Sequence, residues 1–256
     1  EYSKITFEVM KFIKTSILCL ATVAAAACHK SEAPTATDGT ITFAVATQQE
    51  VNDVTRSKVS DITDLPAAAD FTLTITDAQK KTVWSGTIAQ MTEPYTIAAG
   101  EYTATAQYGS VSDEGFDKPC FTGSMPFTIN GGDSKQITIP VSLANAIVKV
   151  SCTEMFRNYF TDYSFKITTA AGTQIAFPAG ESRGAFIDAY KFTIDGTLTN
   201  QGGTAQSFSK TYDTGINPAT CYTVTFDASS VGGTSVTVTF NDTTETIDLG
   251  DIELND

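Results

Sequence analysis

Residues 71–78 read FTLTITDA, with Phe71, Leu73 and Ile75 alternating with Thr72, Thr74 and Thr76. A side-chain period of two belongs to a strand with one face packed inward and the other in water. Threonine suits the wet face, because its branched Cβ fits the pleat while its hydroxyl stays solvated. The same alternation recurs with Tyr102, Ala104 and Ala106, with Tyr222, Val224 and Phe226, and with Val236, Val238 and Phe240. Turn-forming pairs separate the runs: Ala99-Gly100, Gly131-Gly132, Gly202-Gly203, Gly232-Gly233 and Asn241-Asp242. Short strands at this spacing predict an all-β chain of antiparallel sandwiches. One stretch departs from the pattern. Residues 154–160 (EMFRNYF) predict a short helical turn that plugs a core, with Met155, Phe156, Tyr159 and Phe160 on one side.

The 229 residues from Cys28 onward favour two modest domains over one large one. A strand ending at Leu143 runs almost directly into another from Ala146 to Cys152, which sets the boundary near residues 142–144. The expected organisation is an upstream extension and signal (1–27), a tether (28–39), and two tandem antiparallel β-sandwiches of transthyretin- or immunoglobulin-like type, 40–143 and 144–256.

Composition narrows the chemistry. There are 16 Lys+Arg against 29 Asp+Glu, a formal charge of −13. Phosphate-tracking nucleic-acid binding needs clustered cations, so no nucleic-acid partner is expected. The one histidine, His29, lies near the N-terminus, outside the predicted sandwiches. Histidine-based nucleophilic catalysis and His-ligated zinc both need that residue in a folded site. No enzyme activity and no cofactor are expected.

Residues 10–28 read MKFIKTSILCLATVAAAAC. Basic residues after Met10, an apolar run and a small-residue zone ending in Cys28 form an export signal, too short to span a bilayer comfortably. Residues 1–9 precede Met10, the expected start. Small residues leading into Cys28 match a bacterial lipobox, in which the sulfur takes a diacylglycerol and the freed amine is acylated. Ala25 stands where a larger aliphatic residue is usual, and an ordinary secretory signal is the alternative. Several acyl chains would anchor the protein durably in outer-membrane lipid, and the Pro/Ala/Thr-rich residues 29–39 suit a flexible tether. Cys120, Cys152 and Cys221 remain, without CxxC spacing. They read as small buried thiols, or as one disulfide and one thiol. Calcium through Asp61 and Asp64, or Asp248 and Asp251, lacks a recognisable loop, and no metal site is expected.

The lipobox cysteine, TITFAVAT at 40–47, the loop with Thr55-Arg56 and the strand FTLTITDA are joined by AAGEYTATAQYG at 98–109, GFDKPCFTGSMPFTI at 115–129 and ITIPVSLANAIVKV at 137–150. Together these resemble the fimbrillin-like, type V pilin-related surface lipoproteins of Gram-negative anaerobes, in a branch whose domain has no assigned function. The resemblance implies an outer-membrane, surface-exposed lipoprotein that is a pilus subunit or a pilus-related anchor. In such pilins a protease cuts after an arginine behind the first strand, and the C-terminal segment of the next subunit fills the groove. Carried onto this chain, Arg56 is the processing candidate, and Ile41, Phe43 and Val45 lie on the removable strand. Ile247, Leu249, Ile252 and Leu254 are the donor-strand candidates, in residues 243–255. Arg56 also reads as an ordinary loop arginine, and the C-terminal segment as the permanent last strand of its own domain.

A glycan-binding surface lipoprotein is the alternative function, and its candidate stacking rings are Trp84, Tyr95, Tyr108, Phe116, Tyr163 and Tyr190, most of which are expected to be core residues. The adjacent carboxylates Asp113 and Glu114 are expected to be solvated loop residues rather than a hydrolytic pair.

Overall fold

The computed structural model describes residues 37–47, 65–230, 233–240 and 243–248, with side chains described through residue 228. The described strands lie in one compact unit, Asp38–Asp256. Its first half contains β1 (Asp38–Thr47), β2 (Thr72–Asp77), β3 (Thr82–Thr87), β4 (Tyr95–Ala98), β5 (Gly100–Tyr108), β6 (Gly115–Phe116), β7 (Phe121–Ile129) and β8 (Ser134–Leu143). All but β6 form a sheet in the order β3-β2-β5-β7-β8-β1-β4. The sheet doubles over because β8 is shared. It pairs with β1 from Ser134 to Val141, and only its last residues, Ser142 and Leu143, pair with β7. Between the layers lies a core that includes Ile41, Phe71, Leu73, Ile75, Ala104 and Ile139.

After Ala144 the second half begins with β9 (Asn145–Cys152) and the short helix α1 (Glu154–Tyr159). There follow β10 (Phe160–Thr169), β11 (Gln174–Pro178), β12 (Ala185–Asp188), β13 (Phe192–Asn200), β14 (Ala205–Tyr212), β15 (Cys221–Ser230), β16 (Gly233–Phe240) and β17 (Thr243–Asp248). They form two sheets, β11-β10-β13-β14 and β17-β16-β15-β9-β12-β6. A second core lies between them, including Val148, Phe156, Ile167, Ile194, Tyr222 and Phe226.

The alternating residues fall where their period requires. Phe71, Leu73, Ile75, Ala104, Ala106, Tyr222, Val224 and Phe226 are all fully buried. Threonines and serines meet across strands on the wet faces, as in Thr105–Ser124 and Thr193–Thr211, both 2.8 Å apart. The predicted helical turn is α1, started by Thr153, whose hydroxyl accepts from the Phe156 N–H at 3.2 Å. Phe156 plugs the core as expected, but Met155 points outward at 56% exposure. A six-residue helix turns less than twice, so it buries only a narrow stripe.

Strand direction departs from the purely antiparallel expectation. β1 runs parallel to β8, and β9 runs parallel to β15. Alternation records which way side chains face and carries nothing about a partner's direction. The Ala99-Gly100 pair joins β4 to β5 without making a hairpin, since β4 pairs with β1 and β5 with β2 and β7.

The two halves repeat one topology. In each, the first strand runs parallel to a late strand (β8, β15), and only its first four residues pair antiparallel with a short strand (β4, β12). The orders β3-β2-β5-β7 and β11-β10-β13-β14 also correspond. The halves are closely joined. β6 adds to the second half's sheet through Phe116↔Ala185, and Ile147 and Phe186 of the second half lie in the first core.

Candidate functional site

The expected removable strand is β1. Ile41 and Phe43 are buried at 1% and 7% exposure, while Val45 packs partly against the core. One edge is paired with β8 over eight residues, from Thr40↔Ser134 to Thr47↔Val141. The other edge pairs with β4 only from Asp38 to Ile41. Beyond that point the Phe43 N–H donates to the Glu93 carboxylate at 3.0 Å. β1 is therefore held by one full ladder, half of a second, and two buried apolar side chains. Such side chains contribute about 1.5–3 kcal/mol each.

The corresponding edge of β9 is less covered. β12 stops pairing at Val148, so among the described residues 149–152 of β9 have a strand partner on the β15 side alone. Beside that edge lies a cleft of about 330 Å³ with an apolar floor that includes Val150, Tyr163, Phe165 and Phe177. Arg157 reaches to its mouth and donates to the Cys152 carbonyl at 2.6 Å. Burial pushes the Cys152 thiol up to about 11, against a smaller opposing pull from Arg157. The shift from 9.0 to about 11 leaves roughly 100-fold less thiolate at pH 8. In the folded chain Cys152 is therefore expected to alkylate with N-ethylmaleimide about 100-fold more slowly than after denaturation, as followed by peptide mass spectrometry. Cys120, Cys152 and Cys221 form no disulfide among the described residues; Cys120 is buried, while Cys152 and Cys221 are half-buried.

A polar clasp joins the halves beside this cleft. The Arg183 guanidinium lies 4.5 Å above the Phe116 ring and pairs with Asp117 and Glu181, both at 2.9 Å. Glu181 also accepts from the backbone N–H groups of Ser182 and Arg183. The Arg183 side chain is the main cause holding the Glu181 carboxyl down at about 2, against an ordinary 4.5. A depressed carboxylate contributes stability that is complete above its unfolded value and lost as pH falls through the folded one. The Glu181 share of the clasp is thus lost between about pH 4.5 and 2. A carboxyl-carbon NMR titration is expected to find the Glu181 midpoint at about 2, and Arg183→Gln is expected to return it towards 4.5.

Glu114 departs from the solvated reading. It is half-buried, accepting from the Thr169 hydroxyl at 2.5 Å and from the Asp188 N–H at 3.0 Å, so it ties the first half to the second. Its neighbour Asp113 is exposed. Of the six aromatic candidates for sugar stacking, only Tyr190 is exposed, at 66%. Trp84, Tyr95 and Tyr108 pack on the first core, and Phe116 and Tyr163 on the second. Among the described residues no three His, Cys, Asp or Glu side chains gather as metal ligands, and no helix is long and apolar enough to cross a membrane.

Cys28, Arg56, Leu249, Ile252, Leu254 and the aspartates Asp61, Asp64 and Asp251 lie outside the described residues. Ile247 falls in β17, opposite Val236 of β16. Sequence reasoning missed Glu93 and Arg157, each of which satisfies main-chain groups on a half-open strand edge. Glu93 directly before Pro94, and Arg157 as one of only three arginines, were the available signals.

Over residues 37–256 the sequence matches a family described as a domain of unknown function (DUF4493). No protein of curated function matches it significantly. Among solved structures it is similar to a candidate polysaccharide-binding protein of Bacteroides thetaiotaomicron, with TM-score 0.46 and 12% identity, covering 84% of this chain and 99% of that one. It is also similar to candidate cell adhesion proteins of Bacteroides eggerthii (TM-score 0.40, 13% identity, 75% and 86% covered) and Bacteroides fragilis (TM-score 0.40, 12% identity, 82% and 99% covered).

Proposed function

The chain belongs to the DUF4493 family, and from that premise we propose that it is a structural or adhesive surface protein, either a pilus subunit or a pilus-related anchor. In this reading Cys28 carries the lipid that holds the precursor in the outer membrane. The observation that supports it is the attachment of β1: a full ladder on one edge, half a ladder on the other, and two apolar side chains in a slot. Removing such a strand exposes the unpaired main-chain edge of β8 together with an apolar cleft. An incoming extended segment satisfies both at once. Head-to-tail donation of that kind builds filaments. Only the first half could give up its leading strand in this way. β1 is followed by the polar residues 48–64 with Arg56, whereas β9 follows β8 after Ala144 alone.

The test is the intact mass of the protein recovered from native cell surfaces. A chain that begins at Ser57 without an acyl group is the result expected for a polymerising subunit. A chain beginning at acylated Cys28 would exclude strand removal and leave a permanently anchored module. In vitro, trypsin cut after Arg56 is expected to yield a form that binds a peptide of residues 243–255, while the uncut chain does not.

A further inference from the structure

From the unequal cover of two equivalent strand edges we infer that the cleft beside β9 is a peptide-binding site, taking an extended acidic segment of a partner protein by strand addition. The topological repeat identifies what is missing there. The last antiparallel pairs are Ile41↔Tyr95 in the first half and Val148↔Ala185 in the second. Two residues further along stand Phe43 and Val150. The chain's own residues 91–94 cover the Phe43 edge, with Met91 buried at 7% exposure and the Glu93 carboxylate on the Phe43 N–H.

Continuing the second register past Ala185 puts Arg183 opposite Val150, where the first half has Glu93 opposite Phe43. Arg183 does not fill that place. It is drawn aside onto Phe116, Asp117 and Glu181 to hold β6. The segment that would close the edge is used to join the halves instead.

Main-chain geometry agrees. Ile147 and Thr153 donate towards β15, to the carbonyls of Thr220 and Phe226. Residues alternate sides along a strand, so Val150 and Cys152 present their main chains to the cleft. Arg157 already satisfies the Cys152 carbonyl, which among the described residues leaves the Val150 N–H and C=O facing the cleft. The occupant is read from the first half: an apolar side chain for the floor and, two residues on, a carboxylate for that N–H. The cleft is bordered by the Arg157 guanidinium, and its one acidic border residue among the described residues, Glu181, is bound by Arg183. The charge at the cleft therefore complements an acidic peptide. Binding there is independent of whether β1 is ever removed.

The probe is the capped heptapeptide AQMTEPY, residues 89–95 of this chain, added to the full protein while amide hydrogen exchange is followed by NMR. In the free protein the Val150 amide is expected to exchange about 100-fold faster than that of Val148. Saturating peptide is expected to slow it about tenfold, and the peptide carrying Glu93→Gln to bind about tenfold more weakly, as loss of a charge-assisted bond requires. A Val150 amide already as slow as Val148 would overturn the inference, as would exchange unchanged at millimolar peptide. Protection that grows with protein concentration alone would make the occupant a second copy and overturn the choice of partner.

Discussion

Phe156→Ala is expected to destabilise the protein by about 3–5 kcal/mol in urea unfolding. Phe156 is fully buried, and its ring lies 4.7 Å from Phe160, 5.2 Å from Tyr163 and 5.8 Å from Phe226. It therefore joins α1, β10 and β15 at one point, and truncation leaves a cavity bounded by strands that cannot collapse onto it. Met155→Ala, one residue away and exposed, is expected to change stability by less than about 0.5 kcal/mol. Equal effects at the two positions would mean that α1 is not seated on the core by Phe156.

Gly123→Ala is expected to cost about 3 kcal/mol, at the upper end of what overpacking does. A Cβ at position 123 would overlap the Pro140 carbonyl oxygen and would lie 2.9 Å from the Pro140 carbonyl carbon and 3.0 Å from the Val141 Cα. These are backbone atoms, so β8 itself must move where it crosses from β1 to β7. Gly196→Ala gives the contrast. Its Cβ would meet the ring of the half-buried Phe208, a side chain that can rotate away. The Gly196 variant is expected to be at least about 1 kcal/mol less destabilised, again by urea unfolding. Similar losses at both sites would mean that β8 is not held against β7 at this crossing.

The contrast between Phe156 and Gly123 also marks how far the sequence can be read. The burial of Phe71, Leu73 and Ile75, the helical plug at residues 154–160 and the near-continuous passage from β8 to β9 were all legible, because each depends on residues close in sequence. The position of Gly123 under Pro140 was not, because it arises where a long strand changes layers. The parallel course of β1 against β8 was hidden for a similar reason. Side-chain alternation is the same for parallel and antiparallel partners.

At the candidate sites the division is similar. β1 was recognisable as an amphipathic strand, but the half-open edge that makes it separable depends on where β4 stops. The β9 cleft is defined by pairing that ends at Val148, and the absence of pairing has no sequence signature. Glu114 read as a loop carboxylate because Thr169 and Asp188, its partners, are 55 and 74 residues away. Five of the six aromatic candidates pack on a core, as expected of most of them, but nothing in the sequence singled out Tyr190 as the exposed one. A sandwich core draws most of its buried area from such rings.

The parallel pairing of first and late strands has a mechanical consequence. Tension applied at Asp38 and at the far end of the chain pulls β1 from its N-terminus and β8 from its C-terminus. In a parallel pair those pulls slide the strands past one another, so the eight residue pairs from Thr40↔Ser134 to Thr47↔Val141 bear the load together. An antiparallel hairpin pulled at its two free ends would open one pair at a time. β9 and β15 repeat the arrangement over six pairs, from Cys221↔Ile147 to Phe226↔Cys152. Both halves are thus loaded in shear along the direction in which a tether at one end and a load at the other would stretch the chain.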